Sequence, residues 1–262
     1  MGDGARRVIK PLYLDTALNW QVRLDDGRAL NVSAPGRARS LDPLQRLARV
    51  ISPSGAEWST RALLACLRAG VPVLFHDTAG EPVGWCFGPR KRETTLASLL
   101  REALDQPRWA GLIEGWQRCA QRREAMAALR DFATSSRSLE PAAVRTHLCN
   151  LHRVRTVQPA RAWINALYRA NAALVAQHLH GLVGDPALIG FARPGLHLGR
   201  TIAGLMEWQL HRILHAAPLT AITLGSPGRF AAQAIERHGA ALHRCCGDLA
   251  GSLEHHLREQ LG

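Results

Sequence analysis

The sequence predicts an α+β protein: a small β-rich N-terminal domain followed by a larger all-α C-terminal domain. Three observations carry this. Short apolar runs and tight-turn signals crowd the first 88 of 262 residues; a compact basic stretch, "GPRKRET", follows; beyond it apolar residues recur at helical spacing almost to the end. The implied boundaries are 1–88 for the β-rich domain, 89–93 for a basic linker and 94–262 for the helical domain. Hydrophobic residues make up 47% of the chain, enough for a sizeable core.

Each element has its own signal. "PLYLD" is a short apolar strand. "WQVRLDDGRALNVSAPG" alternates polar and apolar residues on either side of Asp26-Gly27, a hairpin signal because glycine accepts positive φ. "VISPSG" is a strand that ends in turn residues. "WSTRALLACLRAG" places Leu63, Leu64 and Leu67 on one helical face, with Ser59 or Thr60 as cap and Gly70 as stop. "VPVLFHDTAGEPVGWCFG" supplies two strands around a second turn. After the basic stretch come six helical segments: "TLASLLREAL", "PRWAGLIEGWQRCAQRREAMAALRDFA", "EPAAVRTHLCNLHRV", "ARAWINALYRANAALVAQHLHGLV", "RTIAGLMEWQLHRILHA" and a long closing one. In the last, Leu242, Leu249, Leu253, Leu257 and Leu261 hold a single apolar face.

Charge narrows the function classes. The formal net charge is +12, and Lys+Arg outnumber Asp+Glu by 33 to 21. The only lysines are Lys10 and Lys91, so nearly all of the positive charge is guanidinium, which grips phosphate oxygens two at a time. A GC-rich genome explains arginine over lysine but not the excess of base over acid; a polyanion such as nucleic acid is the expected partner. The six cysteines form no CxxC pair and no metal-ligand spacing, as expected of reduced thiols in a cytoplasmic protein. No apolar stretch approaches the ~18 residues of a membrane span, and no apolar run follows the charged start, so neither a membrane nor a signal peptide is expected.

Several strings, in order from about Tyr13 to about Leu219, resemble the CRISPR-associated adaptation integrase (Cas-one) family. "VISPSGAEWSTRALLACLRAGVPVLFHDTAGEPVGWCFG" looks like that family's strand, helix and hairpin. "LEPAAVRTHL" is similar to the helix that opens with its metal-binding glutamate. "INALYRANAALVAQHLHGLVGDPALIGF" and "GRTIAGLMEW" resemble its long helix and the segment after it. The resemblance implies insertion of DNA fragments into a repeat array by transesterification, a homodimer joined through the β-rich domain, branched or double-stranded DNA, and a small ferredoxin-like adaptation partner.

It also implies a divalent metal, Mg²⁺ or Mn²⁺, held by a Glu, a His and an Asp to spread the charge that builds on phosphorus. Residue by residue, Glu140 matches the glutamate, at a helix start where Ser138 can cap and Pro141 fits the first turn. By itself, a first-turn Glu simply complements the helix dipole. The histidine position holds Arg193 and the aspartate position Gly204, two departures; the acid Glu207 is kept. His197, on the loop "PGLHLG", would complete a set of Glu140, His197 and Glu207, or serve no purpose there. Without it, two carboxylates bind Mg²⁺ weakly, and Arg193 opposes a cation but suits an acid or a phosphate.

The resemblance further sets Arg145, Arg153, Arg155, Arg161, Arg169, Arg193, Arg200 and Arg212 along a DNA groove, where each could equally be a solvated helix face. Trp163 and Trp208 offer flat faces for a splayed base, but their helical spacing suits a core. Three readings stand: an integrase-type protein that binds DNA with an impaired metal site and needs no metal; an active Mg²⁺/Mn²⁺-dependent integrase and endonuclease using Glu140, His197 and Glu207; and an unrelated basic helical DNA-binding protein.

Overall fold

The computed structural model describes residues 10–78, 82–88, 94–132, 140–153, 160–185, 188–189, 197–218 and 226–262. The chain divides into two compact units, Met1–Arg90 and Lys91–Gly262. The basic stretch 89–93 lies outside the described residues.

The N-terminal unit runs β1 (Lys10–Tyr13), β2 (Gln21–Asp25), β3 (Ala29–Ser33), β4 (Ser40–Pro43), β5 (Leu47–Pro53), β6 (Glu57–Trp58), α1 (Thr60–Arg68), β7 (Val73–His76) and β8 (Pro82–Cys86). Two four-stranded sheets result, ordered β1-β5-β7-β8 and β4-β3-β2-β6. β5 pairs in parallel with both β1 and β7, and "LARVISP" is accordingly buried along nearly its whole length, as a strand covered on both faces must be. The expected hairpin joins β2 to β3, with Asp26 (φ 43) and Gly27 (φ 69) both in the left-handed region that a type I′ turn demands. The second hairpin joins β7 to β8.

Val22, Leu30, Val32, Val50 and Val73 form the core with Ala62 and Cys66 of α1. Each large apolar side chain buried this way contributes about 1.5–3 kcal/mol. Ser52 is buried but not orphaned, because its hydroxyl accepts the Trp58 indole N–H at 3.0 Å. α1 is capped as expected: Ser59 Oγ accepts the Ala62 N–H at 3.2 Å, and Gly70 ends the turn at φ +72. Its buried stripe corrects the leucine face. Ala62 and Cys66 go inside, while Leu64 stands 42% exposed. Leu63, half-buried, still packs against the core, and Leu67 is half-buried, so of the expected leucine face only Leu64 is turned outward.

The helical unit contains α2 (Thr95–Asp105), α3 (Trp109–Asp131), α4 (Pro141–Arg153), α5 (Ala160–Val183), α6 (Leu198–Leu205), α7 (Glu207–Ala216) and α8 (Pro227–Leu261). α5 is buried on nearly every side, from Trp163 and Leu167 to Leu174, Leu179 and Val183, which makes it the central helix. α8 packs along it, with the expected face of Leu242, Leu249, Leu253 and Leu257 inside and Leu261 only half-buried. Trp163 meets Phe230 edge to face at 5.3 Å. The Thr94 hydroxyl both accepts the Ala97 N–H at 3.4 Å, capping α2, and donates to the Leu182 carbonyl near the end of α5. "RTIAGLMEWQLHRILHA", expected as one helix, is two. They meet at Met206, whose carbonyl accepts the Gln209 N–H at 3.0 Å, the tighter three-residue spacing. None of the helices among the described residues is long and apolar enough to cross a membrane.

Candidate nucleic-acid interface

α4 and α7 place the side chains of interest. Val144 and Leu148, one turn apart on α4, sink into a cluster with Ala125, Ala128 and Leu129 of α3 and Trp208 of α7. That packing fixes the rotation of α4 and sets Arg145, beside Val144, toward α7. Its Nε donates to Glu207 Oε2 at 2.6 Å, and its guanidinium lies over the Trp208 ring, 5.4 Å from the centroid. On the other side of the carboxylate, His211 Nε2 stands 3.9 Å from Glu207 Oε1, one helical turn on. The row continues inward. His211 Nδ1 and His152 Nε2 are 3.1 Å apart, the rings stacked at 13°, and both residues are buried. Phe132 closes the end of the row, edge-on to His152 and to His215.

Burial pushes the Glu207 carboxyl up, but the neighbouring His211 and the charge of Arg145 outweigh it, so the group is held below its ordinary 4.5. The Cys149 thiol is pushed up, first by burial and then by the Glu207 charge, against a smaller opposing effect of Arg161 and Arg145. Glu207 is therefore an ionised carboxylate committed to protein partners.

The other expected site residues are more scattered. Glu140 is exposed one residue ahead of α4, with its carbonyl accepting the Val144 N–H at 3.0 Å, and Pro141 is the first helical residue. His197 precedes α6, half-buried, its carbonyl accepting the Thr201 N–H at 2.8 Å. Among the described residues no group of three or more His, Cys, Asp or Glu side chains is arranged to hold a metal ion. Gly204, at the aspartate position, has open space where a Cβ would point. Arg193 lies outside the described residues.

Of the expected DNA-binding arginines, Arg161 and Arg200 are exposed, on α5 and α6, and Arg169 is half-buried on α5. Arg212 forms an ion pair with Asp131 of α3, so its charge is partly spent within the protein. Arg153 ends α4 with its side chain outside the described residues, as is the whole of Arg155. Trp163 and Trp208 are 1% and 0% exposed, which removes both from base stacking. Sequence reasoning missed His211 as a partner of Glu207, although their four-residue spacing in a helical segment was a usable signal. No sequence signal announced Asp131.

No family model matches the sequence, and no curated protein does. The fold is nonetheless similar to solved structures. A CAS1 protein from Thermotoga maritima is 14% identical over 95% of this chain and 97% of that one, with a TM-score of 0.68. TtCas1 in complex with DNA is 16% identical over 93% and 91%, with a TM-score of 0.57. A casposase bound to its integration product is 10% identical over 87% and 82%, with a TM-score of 0.59. At such identities the likeness establishes the fold, which is of the Cas1 type. The expected architecture, a β-rich unit and then a helical one, is thereby borne out, and an unrelated helical fold is set aside.

Proposed function

We propose that this chain binds branched or double-stranded DNA through its helical unit in CRISPR adaptation, as an integrase-type protein whose metal-dependent step is weakened. The observation that carries the reading is Arg145 closing on Glu207 at 2.6 Å within a fold shared with a DNA-bound Cas1 structure and a casposase bound to its integration product. A carboxylate held by a guanidinium is neutralised in place and has little to offer a cation, whereas the guanidinium keeps donors for an incoming anion. Its Nε is taken; the two Nη groups remain for a pair of phosphate oxygens. Glu207 and Trp208 hold the guanidinium in orientation, so little side-chain entropy is lost on binding. Arg161 and Arg200 add exposed charge, and the formal +12 supplies the long-range attraction.

In this reading the β-rich unit joins two copies, a small ferredoxin-like partner docks on the pair, and the cytoplasm is the compartment. Any strand transfer comes from an intact paralogue in the same complex. Mg²⁺ or Mn²⁺, if held at all, would bind weakly.

The test has two arms. Fluorescence anisotropy with branched DNA is expected to give salt-dependent binding, with Arg161→Ala and Arg200→Ala each lowering the salt slope by about 1. A disintegration assay with Mn²⁺ is expected to give no product with the natural chain, and product with Arg193→His combined with Gly204→Asp. Efficient Mn²⁺-dependent joining by the natural chain, lost in Glu140→Ala, would instead establish the active enzyme.

A further inference from the structure

A groove of about 670 Å³ opens on the N-terminal unit between the β2–β3 hairpin and α1. Leu24 of β2, Leu44 just before β5 and Leu64 of α1 line it with apolar surface, and Arg28, Arg61 and Arg68 line it with charge. The three arginines are exposed, and among the described residues none has an acidic side chain as partner. Leu64 lies outside the core of this unit, at 42% exposure. Its position follows from α1 burying alanine and cysteine instead. Arg61 and Arg68 lie three residues before it and four after it, on the same side of the helix.

We infer that this groove docks an acidic peptide segment of a partner protein, with one aliphatic or aromatic side chain seated against Leu24, Leu44 and Leu64 and carboxylates paired with Arg28, Arg61 and Arg68. Charge complementarity selects the sign of the partner. Nucleic acid also carries negative charge, but its backbone offers nothing to an apolar floor, and the exposed Leu64 at a phosphate site would remain wet. The volume falls within the ~300–1,000 Å³ of ligand-binding clefts. An anchor surrounded by ion pairs gives specificity through the anchor and speed of association through the charges. The assignment uses residues of the β-rich unit alone and stands independently of DNA binding by the helical unit.

Selection of displayed random dodecapeptides on the immobilised full-length chain tests it, with counter-selection on Leu64→Glu. That substitution places a carboxylate between Arg61 and Arg68, closing the site at an exposed helical position without removing any core contact. The enriched peptides should carry several acids flanking an apolar residue. Their synthetic forms should bind at least about tenfold more weakly to Leu64→Glu and to Arg61→Ser/Arg68→Ser, and lose affinity as NaCl is raised. Thermal melts of both variants should match the natural chain. The inference fails if no peptide prefers the natural chain over Leu64→Glu, or if the enriched peptides lack acids. It also fails if Arg61→Ser/Arg68→Ser leaves peptide affinity intact while weakening a short DNA duplex, which would make the surface a nucleic-acid site.

Discussion

Replacing Arg145 with alanine removes, among the described residues, the guanidinium bonded to Glu207 and leaves a carboxylate that is 18% exposed with His211 at 3.9 Å. A fully buried pair broken in this way costs about 3–5 kcal/mol, and an exposed one about 0–1. With Arg145 itself 34% exposed, the pair lies between these limits, and a loss of about 2 kcal/mol is expected, a fall of roughly 4–8 °C in the melting of a unit this size. Acid should erase the difference. Because the folded state holds the Glu207 carboxyl below its ordinary 4.5, its ionised form contributes stability that is complete above that value and lost as pH falls through the lower, folded one. Circular dichroism melts of the natural chain and Arg145→Ala should therefore differ most near neutral pH and converge in acid. Adding Glu207→Gln to the variant should recover part of the loss, as removal of an uncompensated charge must. A gap that persists unchanged into acid, or no gap at neutral pH, would refute the reasoning.

Three further expectations concern other parts of the chain. In Gly88→Ala the new Cβ would collide with the backbone carbonyl of Leu67, so the N-terminal unit should lose about 2–4 kcal/mol in urea unfolding; an unchanged midpoint would contradict the packing. Trp208→Ala empties a side chain that is 0% exposed and should cost about 3–5 kcal/mol by denaturant titration, with a smaller loss for Trp208→Phe. Burial pushes the thiols of Cys66 and Cys246 up to about 12 and, with the charges of Glu124 and Asp248 added, that of Cys245 up to about 11, whereas Cys119 is exposed. Ellman's reagent should label Cys119 first in the native protein and reach Cys66 and Cys246 only on unfolding.

Local chemistry explains what was legible beforehand. Asp26-Gly27 announced its hairpin because few residues accept positive φ twice in a row, and Ser59 and Gly70 bracketed α1 because helix ends need such groups. α5 read as a long helix from its pattern, and its burial followed from apolar residues on every side. The face of α1 misled in part, because the core buries the small Ala62 and Cys66 most completely and leaves Leu64 outside, while Leu63 packs against it half-buried. The break at Met206 was hidden, since both halves keep helical periodicity across it. The candidate site was half visible. Glu207 and Arg145 were each singled out, but their pairing across 62 positions comes from the packing of Val144 and Leu148, which sequence spacing does not encode.

The hydroxyl of Thr94 has a practical consequence for dissecting this protein. It rivets the opening turn of one helix to the closing turn of the helix at the centre of the bundle. A fragment that begins at this threonine keeps that fastening intact, whereas one that begins two residues later forfeits it and leaves its new amino terminus loose. The threonine is thus the natural first residue for a recombinant helical half.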